Sequence, residues 1–251
     1  MKRKEIVVAS YREGLAFTYV QGTKYSRKRA PRDDLGAIPS PGRFKTYPEA
    51  ELLRLSQPDF SEPADLWQCL ARRRSERDTT DDPLSGEELS KILWAAQGVT
   101  ARAGIYLLRT APSAGALYPF ETYLYAHNVE GVSRGIYHFN VAEFGLARLE
   151  EGDCNQRITA AALGQPVVRK AAVVLIWTAM MLRCMEKYRE RAVRYIPMDL
   201  GHVCQNVQLA ATALGLGSCP IGAFYDDEMN ELINVDGEEE TVLYMVTVGK
   251  L

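Results

Sequence analysis

Across residues 197–214 the chain repeats apolar residues at helical spacing: Leu200, Val203, Cys204, Val207, Ala211 and Leu214 share one side, and Gly215 follows where a helix must stop. A one-sided stripe of that length cannot stay in water. It predicts a long helix that buries its apolar face against a second layer. Residues 122–126, 135–140, 172–178 and 240–248 alternate or run apolar between turn residues, so they read as the strands of that layer. Two shorter helices come earlier. One spans about 64–74, with Leu66, Cys69 and Leu70 on a common face; the other opens on the capping box Ser85-Gly86-Glu87-Glu88, buries Leu89, Ile92, Leu93 and Ala96, and ends at Gly98. The pattern is an α+β fold built around a long central helix.

Hydrophobic residues make up 47% and charged residues 25%, enough to build a core. Thirty basic against 32 acidic side chains leave a net charge of −2, which argues against a general nucleic-acid or membrane-surface binder. The apolar stretch 171–182 is broken by Thr178 and is too short to span a bilayer. Met1-Lys2-Arg3-Lys4 is followed by only a short apolar run, Ile6 to Ala9, so no signal peptide is expected and the cytoplasm is the expected compartment. Five widely spaced cysteines without a CxxC suggest core residues and neither a disulfide framework nor a zinc site. Six of the 12 prolines fall between Pro31 and Pro63, after the basic run Lys24-Tyr25-Ser26-Arg27-Lys28-Arg29. Residues 1–62 are therefore expected to form an extended arm, stiff enough to wrap a neighbouring subunit, with residues 63–251 as the main domain.

Familiar catalytic signatures are missing: there is no GxxxxGK[ST], no HExxH and no GxSxG, and Gly215-Leu216-Gly217 follows a helix instead of opening one. Four other segments carry chemistry. Arg73-Arg74-Ser75-Glu76-Arg77 places forked donors and a hydroxyl where a helix ends, which suits a phosphate monoester. Residues 109–119, with Pro112-Ser113-Ala114-Gly115 at their centre, make a rigid loop of small residues that a flat ring could approach. Gly222 and Ala223 offer backbone without bulk after a strand, and Lys250 adds a cation near the chain end.

In that order these segments resemble the nitroreductase-like FMN oxidoreductases, over about residues 64–251. The resemblance implies that Arg73, Arg74, Ser75 and Arg77 hold the flavin phosphate and ribityl chain, with Lys250 meeting the phosphate from another side. It further implies that Pro112, Ser113, Ala114 and Gly115 lie on the ring, and that Gly222 with Ala223 approaches N5. It also implies a mostly antiparallel sheet flanked by helices, in a domain-entwined homodimer with both sites at the interface. Three positions depart from the usual pattern. Ala116 and Tyr118 stand where typical members carry asparagine and glutamine, and Gly222 replaces a glutamate. The wording Pro-Ser-Ala-Gly-Ala-Leu-Tyr-Pro, Leu-Trp-Ala-Ala-Gln-Gly, the stretch 194–206 and Thr23-Lys24-Tyr25 are instead similar to the SagB-type dehydrogenases, which oxidise peptide thiazolines and oxazolines to azoles. That branch assigns proton chemistry to a lysine-tyrosine pair, matched here by Lys187 and Tyr188. Azoline oxidation removes a proton at Cα and a hydride at Cβ, and a lysine among Arg183, Arg189, Arg191 and Arg194 is the candidate base. An NAD(P)H-dependent nitro or enone reductase, and a non-catalytic flavin-binding scaffold of a peptide-modifying complex, are the alternative readings.

Overall fold

The computed structural model describes residues 13–25, 27, 36–39 and 41–251. Expectations placed on residues 1–9, on Ser26, Lys28 and Arg29 of the basic run, and on Pro31 lie outside the described residues.

The main sheet has seven strands: β1 (Leu52–Arg54), β4 (Phe120–Ala126), β5 (Gly135–Asn140), β6 (Gly145–Glu151), β7 (Val173–Met180), β8 (Leu216–Ile221) and β9 (Glu240–Lys250). Their order is β1-β6-β5-β4-β7-β9-β8, and every pairing is antiparallel. A separate hairpin joins β2 (Val99–Ala103) to β3 (Tyr106–Arg109). Strand β7 is buried on both faces. Val173, Leu175, Trp177 and Ala179 enter one core and Val174 and Ile176 the other, which is why residues 171–182 read as one apolar run.

The first core lies between the sheet and two helices, α3 (Gly86–Gln97) and α7 (Ala192–Ala213); the second packs α4 (Asn155–Ala161), α5 (Pro166–Lys170) and α8 (Asp226–Leu232) on the opposite face. The capping box of α3 forms as the sequence requires, with Ser85 Oγ accepting from Glu88 N at 3.1 Å and Ser85 N donating to the Glu88 carboxylate at 2.8 Å. All five cysteines are free and buried. Among the described residues no helix is long and apolar enough to cross a membrane.

Two details differ from the sequence reading. Helix α7 begins at Ala192, so Pro197 is inside it and not at its start. Proline has no N–H for the Val193 carbonyl, and that carbonyl instead accepts the Tyr19 hydroxyl at 3.2 Å. In α2 (Leu66–Arg72) only Cys69 is buried; Leu66 and Leu70 are 55% and 45% exposed. Spacing defined the face correctly but does not say what covers it. Within the arm, residues Leu15–Gly22 form helix α1, and β1 adds to the sheet edge beside β6. The remaining helix, α6 (Met181–Tyr188), leaves β7 directly and leads through the turn Arg189–Arg191 into α7.

Candidate functional site

The arginine segment crosses the edge formed by β8 and β9. Glu76 N donates to Ser218 O and Thr80 N to Lys250 O, each at 2.9 Å. Gly217 and Gly249, paired across the two strands, make that crossing possible: a Cβ on Gly249 would stand 2.8 Å from Thr79 Cβ, and one on Gly217 would stand 3.2 Å from Glu76 Cβ. The sequence assigned neither glycine a role, because only the chain lying over them gives them one. Arg73 donates to the Gln208 side chain of α7 at 3.1 Å, Arg74 to the carbonyls of Ala71 and Arg73, and Arg77 to the Ser75 carbonyl at 3.3 Å. No carboxylate pairs with these three guanidiniums among the described residues. Lys250 is different. Its ammonium lies 2.6 Å from Glu88, so a role at a phosphate requires that pair to be shared.

The ring loop is built on the other side. Gly115, Ala116 and Tyr118 all have positive φ, a conformation that costs energy for the two residues with a Cβ. Anchors at both ends hold it. The Asp199 carboxylate of α7 accepts from Ala114 N at 2.8 Å, and Ser113 Oγ accepts from Tyr118 N at 3.0 Å. Burial raises the pKa of Asp199, and its hydrogen bonds to Ser113 and Ala114 work against that rise. Arg183 donates to Tyr118 O at 3.2 Å and to Glu121 at 2.8 Å, while His138 Nε2 lies 3.0 Å from the second Glu121 oxygen. Burial raises Glu121, but the hydrogen bond to His138 and the charge of Arg183 outweigh it and hold the carboxyl below its usual range. Arg109, stacked 4.6 Å over the Tyr118 ring, is lowered to about 10 by burial, with a further push from Arg183.

Lys187 and Tyr188 end α6 and meet this loop. A Cβ added to Gly115 would stand 2.8 Å from both Lys187 Nζ and Tyr188 Oη, so the amine and the hydroxyl face the loop at its one glycine. Its φ of 64° favours glycine, and a Cβ there would push against the ends of the Lys187 and Tyr188 side chains. The arginines expected to crowd Lys187 are directed elsewhere. Arg183 is paired with Glu121, Arg189 donates to Gly36 O, and Arg191 and Arg194 donate to Thr23.

Gly222 lines a cavity of about 530 Å³ with Pro197, Leu200, Gly201, Leu243 and Tyr244, and the Ala223 carbonyl accepts from Gln165 at 2.8 Å. Helix α7 therefore anchors both groups of candidate residues, on different flanks. Asp199, which holds the ring loop, and Gln208, which holds Arg73, are nine positions apart. At 3.6 residues per turn that is a half-turn of rotation and about 14 Å along the axis. Pro197 and Gly201, beside Gly222, share the Gln208 flank. The structure thus brings the ring loop together with Lys187 and Tyr188, and places Arg73–Arg77 and Gly222 on the opposite flank. His202, on the same helix, is exposed.

An antiparallel sheet with helices on both faces, a long helix beneath a proline-serine loop, and an arginine-serine strip at the sheet edge define a nitroreductase-like fold. The nitroreductase family model matches residues 70–250, and the chain belongs to that family. It is 38% identical over 200 residues to MJ1384, a nitroreductase-family protein of Methanocaldococcus jannaschii, covering 80% of this chain and 98% of that one. It is 32% identical over 118 residues to the trifolitoxin-processing protein TfxB of Rhizobium leguminosarum bv. trifolii, covering 45% of this chain and 32% of TfxB. Among solved structures, the E. coli microcin synthetase McbBCD complex with truncated pro-MccB17 bound contains a chain of the same fold, with a TM-score of 0.61 at 21% identity, covering 99% of this chain and 92% of that one.

Proposed function

We propose that this chain is an FMN-dependent dehydrogenase that oxidises thiazolines and oxazolines on a peptide to the aromatic azoles. The observation that carries the reading is the meeting of Lys187 Nζ and Tyr188 Oη over Gly115 of the ring loop. Likeness to a trifolitoxin-processing protein supports a peptide as substrate.

The donor chemistry fits the cofactor. Arg73, Arg74 and Arg77 have no carboxylate partner among the described residues, and Ser75 stands between them. Forked guanidinium donors of this kind suit a phosphate dianion. FMN supplies the hydride acceptor when bound. Lys187 takes the Cα proton of the azoline ring, and Tyr188 orients the amine or passes that proton on. Asp199 and Arg183 keep the loop against the pair.

A flavin held by both flanks of α7 has to be shared between two copies of the chain, one giving the arginine strip and Gly222, the other the ring loop with Lys187 and Tyr188. The outward side of α7 supports such a homodimer. Met198, Gly201, His202, Gln205, Leu209 and Ala213 bring no acidic or strongly basic group to that face, and Met198 is 58% exposed. The partners expected are therefore a second copy and peptide-modifying enzymes.

Lys187→Ala tests the reading directly. The variant should purify yellow and be reduced by dithionite, yet its anaerobic reduction by an azoline peptide should slow by roughly 10² to 10⁴. Reduction at the parent rate removes Lys187 from the chemistry and moves the preference to a nicotinamide-driven nitro or enone reductase.

A further inference from the structure

Helix α1 of the arm is eight residues long and buries none of its side chains. Isolated helices shorter than about 12 residues are marginal, so this one needs a docking partner, and apolar packing does not provide it. Its C-terminal carbonyls do. A helix end leaves such carbonyls without intrahelical donors, and α1 has no basic residue in its own last turn. Arg194 donates to Val20 O and to Thr23 Oγ1, each at 2.6 Å, and Arg191 donates to Thr23 O at 2.9 Å. Two cations thus cap the negative end of the helix dipole, Arg191 from the turn that follows Lys187 and Tyr188 and Arg194 from the first turn of α7. Tyr19 adds its bond to Val193 O, the carbonyl that Pro197 leaves free.

Beyond the helix, the Arg191 guanidinium lies 4.9 Å from the centre of the Tyr25 ring and 5.6 Å from that of the Tyr195 ring. The Tyr195 ring stands edge-on to Tyr188, with centroids 4.9 Å apart and planes at 87°. An unbroken line of contacts runs from the arm to the tyrosine over Gly115.

We infer that α1 and Thr23–Tyr25 belong to the working site: the arm holds Arg191 between Tyr25 and Tyr195, and Tyr195 fixes the ring of Tyr188 beside Lys187. Thr23, Tyr25 and Tyr195 are positioning residues; none of them touches the reacting atoms. The inference rests on the reading of Lys187 and Tyr188 as the proton-handling pair, but its first test needs no azoline.

Thr23→Val keeps the shape and removes the oxygen that Arg194 holds, whereas Thr23→Ser keeps that oxygen. In the full-length flavin-loaded protein, amide exchange across residues 184–196 should speed up about tenfold in Thr23→Val and stay at the parent rate in Thr23→Ser. Acylation of Lys187 by an amine-reactive ester, read by mass spectrometry, should change in the same variant only. With an azoline peptide, Thr23→Val should lower the flavin-reduction rate about tenfold with KM within twofold, and Thr23→Ser should restore it. Exchange and labelling at parent levels in Thr23→Val would overturn the inference, as would a rate loss shared equally by the serine variant. If the parent itself fails to react with azolines, the proposed reaction fails, and exchange and labelling alone decide whether the arm positions the pair.

Discussion

Arg73, Arg74 and Arg77 turn their guanidiniums to backbone carbonyls and a glutamine amide, partners that an incoming anion can outcompete. Replacing Arg73 and Arg77 together by alanine removes two charge-assisted contacts of about 1.5–3 kcal/mol each, so FMN affinity should fall by at least about two orders of magnitude. The fold should survive, since neither side chain supports a buried carboxylate. Flavin content after purification and a fluorescence titration measure both points; stoichiometric flavin in the double variant would place the phosphate elsewhere. Arg183 is the opposite kind of arginine. It is buried, paired with Glu121 and bonded to Tyr118 O, so its charge is committed to holding a loop in shape.

At the scale of elements, the arginine strip depends on what lies beneath it. Gly249→Ala would set a methyl 2.8 Å from Thr79 Cβ, so residues 76–80 must lift from β9. Overpacking of this sort costs ~1–3 kcal/mol. Because the strip also forms the proposed phosphate site, FMN binding should weaken by about tenfold while the sheet stays intact, as a flavin titration paired with a thermal melt would show. Unchanged affinity would separate the strip from the cofactor. Helix α7 works in another way. Its two flanks hold different halves of the site, and Pro197 inside it leaves one carbonyl for the arm.

For the whole molecule, the arm has two parts with different duties. Lys45 reaches inward to Glu240 at 2.6 Å and Tyr123 at 2.8 Å, and β1 closes the sheet edge. Glu240, only 4% exposed, also accepts from Tyr123 and Thr178. Deleting residues 1–55 strips that carboxylate of its cation and should destabilise the fold by about 3 kcal/mol or more. Deleting 1–25 leaves Lys45 in place and should leave the melting temperature near the parent value; equal losses in the two truncations would deny Lys45 this role. A shared site makes a second prediction. When the Arg73→Ala/Arg77→Ala chain is mixed with Lys187→Ala and subunits exchange, each mixed dimer should hold one intact site and one doubly defective one. Activity should then return to about a quarter of the parent level, because half the dimers are mixed. No recovery would mean that each chain builds its site alone.

Much of this protein could be read in one dimension. The long helix, the α3 capping box and strands β4, β5, β7 and β9 follow from apolar period, caps and turn residues, because those signals act over a few neighbouring positions. The arginine strip and the proline-serine loop were also visible as residue types suited to a phosphate and a flat ring, whereas the Lys187–Tyr188 pair stood out only through the family resemblance. The hairpin β2–β3, the edge strand β1 and helix α1 were not legible, since they are short, mostly exposed and held by distant partners. Only the tertiary structure turned Arg191 and Arg194 towards the arm, set Lys45 on Glu240, gave Gly217 and Gly249 their purpose, and brought Ala114 to Asp199 and Arg73 to Gln208. Each of those depends on contacts between residues far apart along the chain. Local periodicity states which residues can share a face, whereas the packing of helix, sheet and arm decides what that face will meet.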